Sequence, residues 1–433
     1  MKKPINATER LLSRAGEDSG FRSRLLANPR DAIEREFGVI LAEGHEVHVH
    51  EETDTSTHVV LPPRSKLGAE ERRAAKTGAA SLEFLKKTMH DPAPPIRPPV
   101  AKPTISRAGT ATPETLAKAG RECIRRGLAF LESTIDENGA WHCIRFNTAD
   151  PNIPRHFEKP PFVSALCVLA LESCDDDRAR AMCSRTRDYL AGTIEYPGFW
   201  RYYRHLPHDL DSTTLCSLAI GDHPWILLGR NVPRILENRD EEGRYMTWVL
   251  EEDEPGVAAA FRIEADPVVN ANVIAYLGDH PETGNAQRWL EAMIGEGSLE
   301  GSSKWYPDTV TIFYATTRAM VRANPALARL RPVLADRILG LRDDKGEFAN
   351  ILQTAQAVSA LHNIGSLESI DASRQAEWLI GSQREDGSWP ELLAFGDQSL
   401  RWGAIGQIGH GSESVTSALC IEALTRLVRI LGA

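Results

Sequence analysis

Polar and apolar positions change their rhythm three times along the chain. From Thr112 onward, helical stretches alternate in character with a period of about 50 residues. One kind is rich in Ala, Ser, Thr and Leu: FVSALCVLALES from Phe162, DSTTLCSLAIG from Asp211, NANVIAYLG from Asn270, DTVTIFYATTRAM from Asp308, ILQTAQAVSAL from Ile351 and ESVTSALCIEAL from Glu413. The other carries more charge, as in TLAKAGRECIRRGLAFL from Thr115 and SRQAEWLIGSQ from Ser373. Small residues let helices approach closely at a centre, and charge suits an outer wall. Each charged helix runs into a corner where Gly is closely followed by an aromatic: ENGAW ending at Trp141, PGFW at Trp200, EEGRY at Tyr245, GSSKW at Trp305, DKGEF at Phe348 and EDGSW at Trp389. Glycine can take the left-handed conformation that ends a helix, and the aromatic then packs back on the repeat it has left. The expectation is a mainly α chain whose residues 112–433 form an α6/α6 toroid of six helical hairpins.

Upstream the rhythm differs. FRSRLLANPRDAIEREFG predicts two short helices, with apolar Phe21, Leu25 and Leu26 in the first. Asn28 caps the second, Pro29 takes its first position, Asp31 sits in its first turn and Gly38 stops it. GHEVHVHEETDTSTHVVLPP alternates His48 and His50 with Val47 and Val49, then turns at Asp54-Thr55-Ser56 into His58-Val59-Val60, which predicts a β-hairpin. Residues 69–89 read as a further amphipathic helix, giving a small α+β domain over 1–90. Between Asp91 and Ser106 there are six prolines. Residues 91–111 therefore read as a semi-rigid extended linker.

The run from Glu17 to Pro63 resembles the nitrile-hydratase-like leader domain of ribosomally made, post-translationally modified peptide precursors. That resemblance implies a recognition element for a peptide maturation or export protein. The closely spaced cysteines of the nitrile hydratase metal motif are absent, so metal catalysis is not carried over. His48, His50 and His58 read as an exposed polar face of the hairpin, with a metal site as the alternative.

Residues 112–433 resemble the squalene-hopene cyclase and protein prenyltransferase superfamily. Gln383 to Trp389, QREDGSW, is the nearest copy of that family's repeat motif. Gly198 to Ile220, GFWRYYRHLPHDLDSTTLCSLAI, resembles the cyclase segment that runs from a glycine-aromatic corner into the DxDD acid motif. The resemblance implies that Asp211, the middle Asp, protonates an alkene, with Asp209 as its like-charged neighbour. The motif here is DLDS, so Ser212 stands where the last carboxylate would be. A proton-donating Asp needs burial or a nearby negative charge to raise its pKa, and a helix N-terminus pulls the other way. Asp209, Asp211 and Ser212 can equally be read as helix caps, as can Asp308 and Ser412. Aromatics are 7% of the chain and few fall on the small-residue helices, which counts against the aromatic lining that a carbocation cyclase needs.

Zinc is the other chemistry of such toroids. The Asp-x-Cys of the prenyltransferases does not occur, and the Gly409-His410-Gly411 segment keeps the His but not the Cys of a lanthionine cyclase site. Cys167, Cys216 and Cys420 recur at equivalent places and could join His410 around zinc, or simply pack in the core. If the small-residue helices run parallel, their N-termini share one mouth that gathers His208, Asp209, Asp211, Asp308, His410 and Glu413. Trp200 and Tyr203 of the preceding corner are added as substrate contacts. Such a mouth favours an anionic ligand or a polar peptide end.

Composition narrows the choice of partner. Lys plus Arg number 50 against 60 Asp plus Glu, for a net charge of −10, and no basic run offers itself to a phosphate backbone. No nucleic-acid partner is expected. There is no apolar signal-peptide segment and no run of about 20 apolar residues, so a cytoplasmic chain without a membrane span is expected. Seven scattered cysteines argue against a disulfide framework. The readings left open are an acid-initiated cyclase of an isoprenoid or peptide substrate that needs no cofactor, a non-catalytic peptide- or lipid-binding toroid, and a zinc-dependent toroid enzyme. A toroid that is itself the modified substrate is a further option.

Overall fold

The computed structural model describes residues 14–15, 18–37, 47–49 and 112–432, apart from 151, 154, 204–205, 222, 251–263, 298, 323–324 and 398–407. The chain divides into two compact units, Met1–Met89 and His90–Ala433. The leader-like hairpin beyond Val49 and the proline linker lie outside the described residues.

In the first unit, α1 (Ser19–Ala27) and α2 (Pro29–Phe37) form the predicted helical pair. Asp18 accepts the N–H of Phe21 at 2.9 Å and caps α1. Phe21, Leu25 and Ala32 are buried against Ala15, with Ile33 and Val49 alongside. His48 is exposed, and among the described residues Val47–Val49 are not assigned to a strand.

The second unit begins with α3 (Pro113–Thr134), β1 (Cys143–Asn147), β2 (His156–Glu158), α4 (Pro161–Leu171) and α5 (Asp177–Gly192). It continues with β3 (His208–Asp209), α6 (Leu210–Ile220), α7 (Pro224–Leu227), α8 (Val232–Glu237), β4 (Trp248–Val249), α9 (Pro267–Leu277) and α10 (Gly284–Glu296). Then come α11 (Thr309–Arg322), α12 (Arg331–Leu339), α13 (Ile351–Asn363), α14 (Ala372–Gly381), β5 (Leu393–Phe395), β6 (Ile408–Gly411) and α15 (Glu413–Leu431). The helices α4, α6, α9, α11, α13 and α15 each pack on the next in that order, and α15 packs on α4, so the cycle closes. They are buried nearly all round, as their small-residue composition requires. The helix that precedes each of them in the chain keeps an exposed charged face, as α3 and α5 do.

The glycine-aromatic corners hold the repeats together by one recurring pair of hydrogen bonds. The backbone N–H of Trp141, Trp200, Tyr245 and Trp389 donates to Ser164, Thr213, Asn270 and Ser417, each four or five residues into the inner helix that follows. The indole N–H of Trp141, Trp200 and Trp389 returns to a carbonyl of the preceding outer helix, at Leu131, Leu190 and Leu379. Gly139 and Gly387 have φ of +92° and +89°, and a Cβ there would come within 2.6 Å and 2.4 Å of the carbonyls of Arg185 and Arg126. Those carbonyls belong to the next outer helix in the ring, so glycine is demanded both by conformation and by close approach. Arg126 of α3 donates to the Arg384 carbonyl at 2.6 Å, which ties the last corner to the first helix.

Two small sheets stand at the N-terminal ends of the inner helices. One has the order β2-β1-β6-β5 and joins segments from the first and last repeats, with Arg145 opposite both His156 and His410. The other pairs Asp209 with Trp248 and His208 with Val249.

Candidate active site

Between these two sheets lies a cavity of about 390 Å³, within the usual size of small-molecule sites. Its polar side is built by the start of α6. Asp209 is the N-cap, accepting the Ser212 N–H at 2.6 Å through one oxygen and the Tyr202 N–H at 2.9 Å through the other. Asp211, two residues on, caps nothing. One of its oxygens accepts Asn272 Nδ2 of α9 at 2.6 Å, and the other accepts the phenol of Tyr306. Asn272 is itself oriented by Arg318 of α11, whose Nη2 donates to Asn272 Oδ1 at 2.5 Å. The amide must therefore present its NH₂ to Asp211.

Both carboxyls are almost wholly buried, and loss of water is the dominant effect on each. Burial pushes Asp209 up to about 7 against the pull of the Ser212 N–H, with Asp211 adding repulsion. Burial likewise raises Asp211, while the Tyr306 and Asn272 hydrogen bonds and the Arg318 charge oppose it. Asp266, the N-cap of α9, is held up to about 6 by burial, opposed by Ser303 and helped by Asp211. Asp209 and Asp266 therefore hold protons far closer to neutrality than exposed aspartates do, and Asp211 is shifted in the same direction.

Seven aromatic residues make up much of the remaining lining, Phe162, Tyr202, Tyr203, Trp248, Trp305, Tyr306 and Phe395, beside Leu206, Ile408 and a few polar groups. Trp248 and Trp305 meet edge to face at 5.7 Å, and Phe162, Tyr202 and Phe395 form a second aromatic cluster. Among these only Phe162 lies within an inner helix; the others come from corners, strands and connecting loops. The aromatic lining that helix composition did not supply is thus delivered by the segments that join the helices.

The mouth expected from the sequence is only partly assembled around this cavity. Asp209, Asp211, Tyr203 and His410 line it; Trp200, His208, Asp308 and Glu413 are not among its described lining residues. Trp200 is fully buried in its corner. His208 pairs with Glu195 at 2.8 Å, Asp308 accepts Gln353 at 2.8 Å, and Glu413 binds Arg384. Cys167, Cys216 and Cys420 are fully buried, which holds their thiols well above the usual range. Among the described residues no group of three His, Cys, Asp or Glu side chains is placed to hold a metal ion. No described helix is long and apolar enough to cross a membrane.

Sequence reasoning did not single out Tyr306, Asn272, Arg318, Glu158 or Arg145. A signal existed for some of them. Asn272 and Arg318 interrupt otherwise small or apolar inner helices, where a polar side chain must find a buried partner.

No family model and no curated protein matches the sequence. Solved structures do match. A variant of the type II terpene cyclase MstE from Scytonema, in complex with geranylgeranyl dihydroxybenzoate, superposes with a TM-score of 0.57 at 17% identity, covering 73% of this chain and 99% of that one. The toroid shares its fold. A second MstE variant, with the product merosterolic acid A, gives a TM-score of 0.56 at 17% identity and the same coverage. A protein from Actinoplanes gives 0.54 at 16% identity, covering 72% of this chain and 99% of that one. At such identities the likeness is one of fold, and it extends to chains taken in almost entirely by this one toroid.

Proposed function

We propose that the toroid is an acid-initiated, type II terpene-cyclase-like enzyme acting on a prenylated small molecule, with Asp211 as the acid. The observation that carries this reading is a buried carboxyl, its pKa raised by burial, that caps no helix and opens onto an aromatic cavity. Asp211 delivers its proton to an alkene carbon, the π electrons form the new C–H bond, and the adjacent carbon becomes cationic. Aromatic faces stabilise the cation as it moves along the chain, and exclusion of water keeps it from premature capture. Asp209 contributes negative charge close to Asp211 and fixes the start of α6. Tyr203 and His410 are substrate contacts in this scheme. The ring reads as an α6/α6 toroid of six hairpins, and the acid chemistry requires no metal or cofactor.

The leader-like resemblance of the first unit supports a place in ribosomal-peptide natural-product biosynthesis. There the unit recruits a maturation or export protein and raises its effective concentration at the toroid.

The test is conversion of geranylgeranyl dihydroxybenzoate, followed by mass spectrometry. Asp211→Asn should lower product formation by on the order of 10³-fold, as expected for loss of a general acid, with the helical circular dichroism retained. Unchanged turnover would remove Asp211 from the reaction. Binding of the prenyl compound by the parent protein without conversion would favour the non-catalytic reading.

A further inference from the structure

A proton put in at one wall of the cavity must be taken out elsewhere, and the four-stranded sheet holds a group suited to that. Glu158 at the end of β2 is 5% exposed. Its Oε1 pairs with Arg145 Nε at 3.0 Å, and its Oε2 accepts the phenol of Tyr202 at 3.2 Å and meets His410 Nε2 at 3.1 Å. A carboxylate only accepts, so Nε2 carries the imidazole hydrogen and Nδ1 is left with its lone pair. That Nδ1 is buried and has no hydrogen-bond partner among the described residues. Leaving a buried polar atom unsatisfied is costly, and here it is held in place. Phe395 stacks on the ring at 5.1 Å with 12° between planes, and Tyr202 meets it edge to face at 5.2 Å. His410, Glu158, Phe395 and Tyr202 line the same cavity as Asp211.

We infer that His410 is the base that ends the reaction, with Glu158 as its orienting partner; this rests on the reading of Asp211 as the acid. Nδ1 takes a proton from the carbon next to the final cationic centre. The electrons of that C–H bond become the π bond of the product alkene. The imidazolium is then stabilised by the Glu158 carboxylate and by the aromatic faces around it. One proton enters from Asp211 and one leaves to His410, so the product is an isomer of the substrate. Exchange with solvent between turnovers resets both groups. Arg145, paired with Glu158 through its other oxygen, holds in place the carboxyl that orients the ring.

The experiment uses the full chain with geranylgeranyl dihydroxybenzoate and compares product ratios. In His410→Gln, consumption of the probe should fall, but by less than in Asp211→Asn, because the proton transfer that starts the reaction is left in place. The parent alkene should give way to other alkenes or to an alcohol formed by water capture. Glu158→Gln keeps the volume and removes the charge, and should shift the ratio the same way by less; it carries the test if His410→Gln does not fold. A parent-like product ratio in the folded variants overturns the proposal, as does complete loss of turnover in both. An independent readout is ¹⁵N-histidine NMR of the intact protein, where an Nε2-protonated His410 supports the assignment and an Nδ1-protonated one overturns it. This measurement needs no turnover. A parent protein that leaves the probe unchanged therefore counts against the acid reading, while the tautomer still judges the base.

Discussion

The start of α6 and the starts of the other inner helices are the same piece of architecture put to different uses. Asp209, Asp266, Asn350 and Ser412 all occupy the N-cap, and each spends a side-chain oxygen on the first-turn N–H groups of its own helix. Two residues further on, the corresponding positions hold Phe162, Asp211, Val268, Val310, Leu352 and Ser414. Only α6 places a carboxyl there. In α4, α6, α9 and α13 this second position lines a cavity, so a polar group on it needs partners from other elements. Tyr306 and Asn272 supply them for Asp211. The cap stabilises a helix locally, whereas the residue two places on reports what the ring as a whole has been built to hold.

Four further measurements press on this comparison, beyond the loss expected in Asp211→Asn. The largest stability effect should come from a corner. Trp389→Ala removes a fully buried indole and its bond to Leu379, and should lower unfolding free energy by about 3–5 kcal/mol in denaturant titration. A value under about 1 kcal/mol would show that the corners merely decorate the ring.

Leu352→Asp copies the α6 arrangement into α13, at a site that is 2% exposed. Placed where a buried apolar side chain now sits, the new carboxyl should cost about 3 kcal/mol. Near-neutral stability would mean that the position tolerates acids generally and that Asp211 is nothing special.

Tyr306→Phe deletes one hydrogen bond to Asp211 and should cost about 1 kcal/mol. Because that bond opposes the upward shift of the carboxyl, its loss should also move the alkaline limb of turnover, where the acid is deprotonated, to higher pH. An unmoved limb would dissociate Tyr306 from the acid.

The smallest effect is on the pH profile of stability. Asp209 titrates near 3.8 when unfolded and at about 7 in the fold, so between those values the native state binds more protons than the unfolded one. Stability from this group is full below pH 3.8 and declines as pH rises toward 7. Asp209→Asn, which keeps a capping oxygen, should flatten that decline in thermal melts recorded across the window. A slope identical to that of the parent would place the ionisation elsewhere.

How far the site could be read from the sequence depends on how far apart its members lie along the chain. Asp209 and Asp211 stood out because motif and helix start are contiguous. The cap reading proved right for Asp209 and does not describe Asp211, since alternate residues at a helix start face different surroundings. Trp200 and His208 also lie near Asp211 in sequence yet are not among the described lining of the cavity, one being buried in its corner and the other drawn to Glu195. Asp308 and Glu413 begin inner helices but are engaged by Gln353 and Arg384. Asn272, Arg318 and Glu158 needed the folded ring, because nothing local says which buried polar group answers which.

The sequence by itself determined the ring. Glycine-aromatic corners and small-residue helices act within one repeat, through positive φ, capping and close approach, and each repetition states the same instruction again. Tertiary structure alone decided the chemistry at the mouth. Dehydration of Asp211, the aromatic lining and the Glu158–His410 pair arise only when repeats far apart in the chain are closed into a circle, since burial and polar pairing are properties of what surrounds a residue and not of its neighbours in sequence.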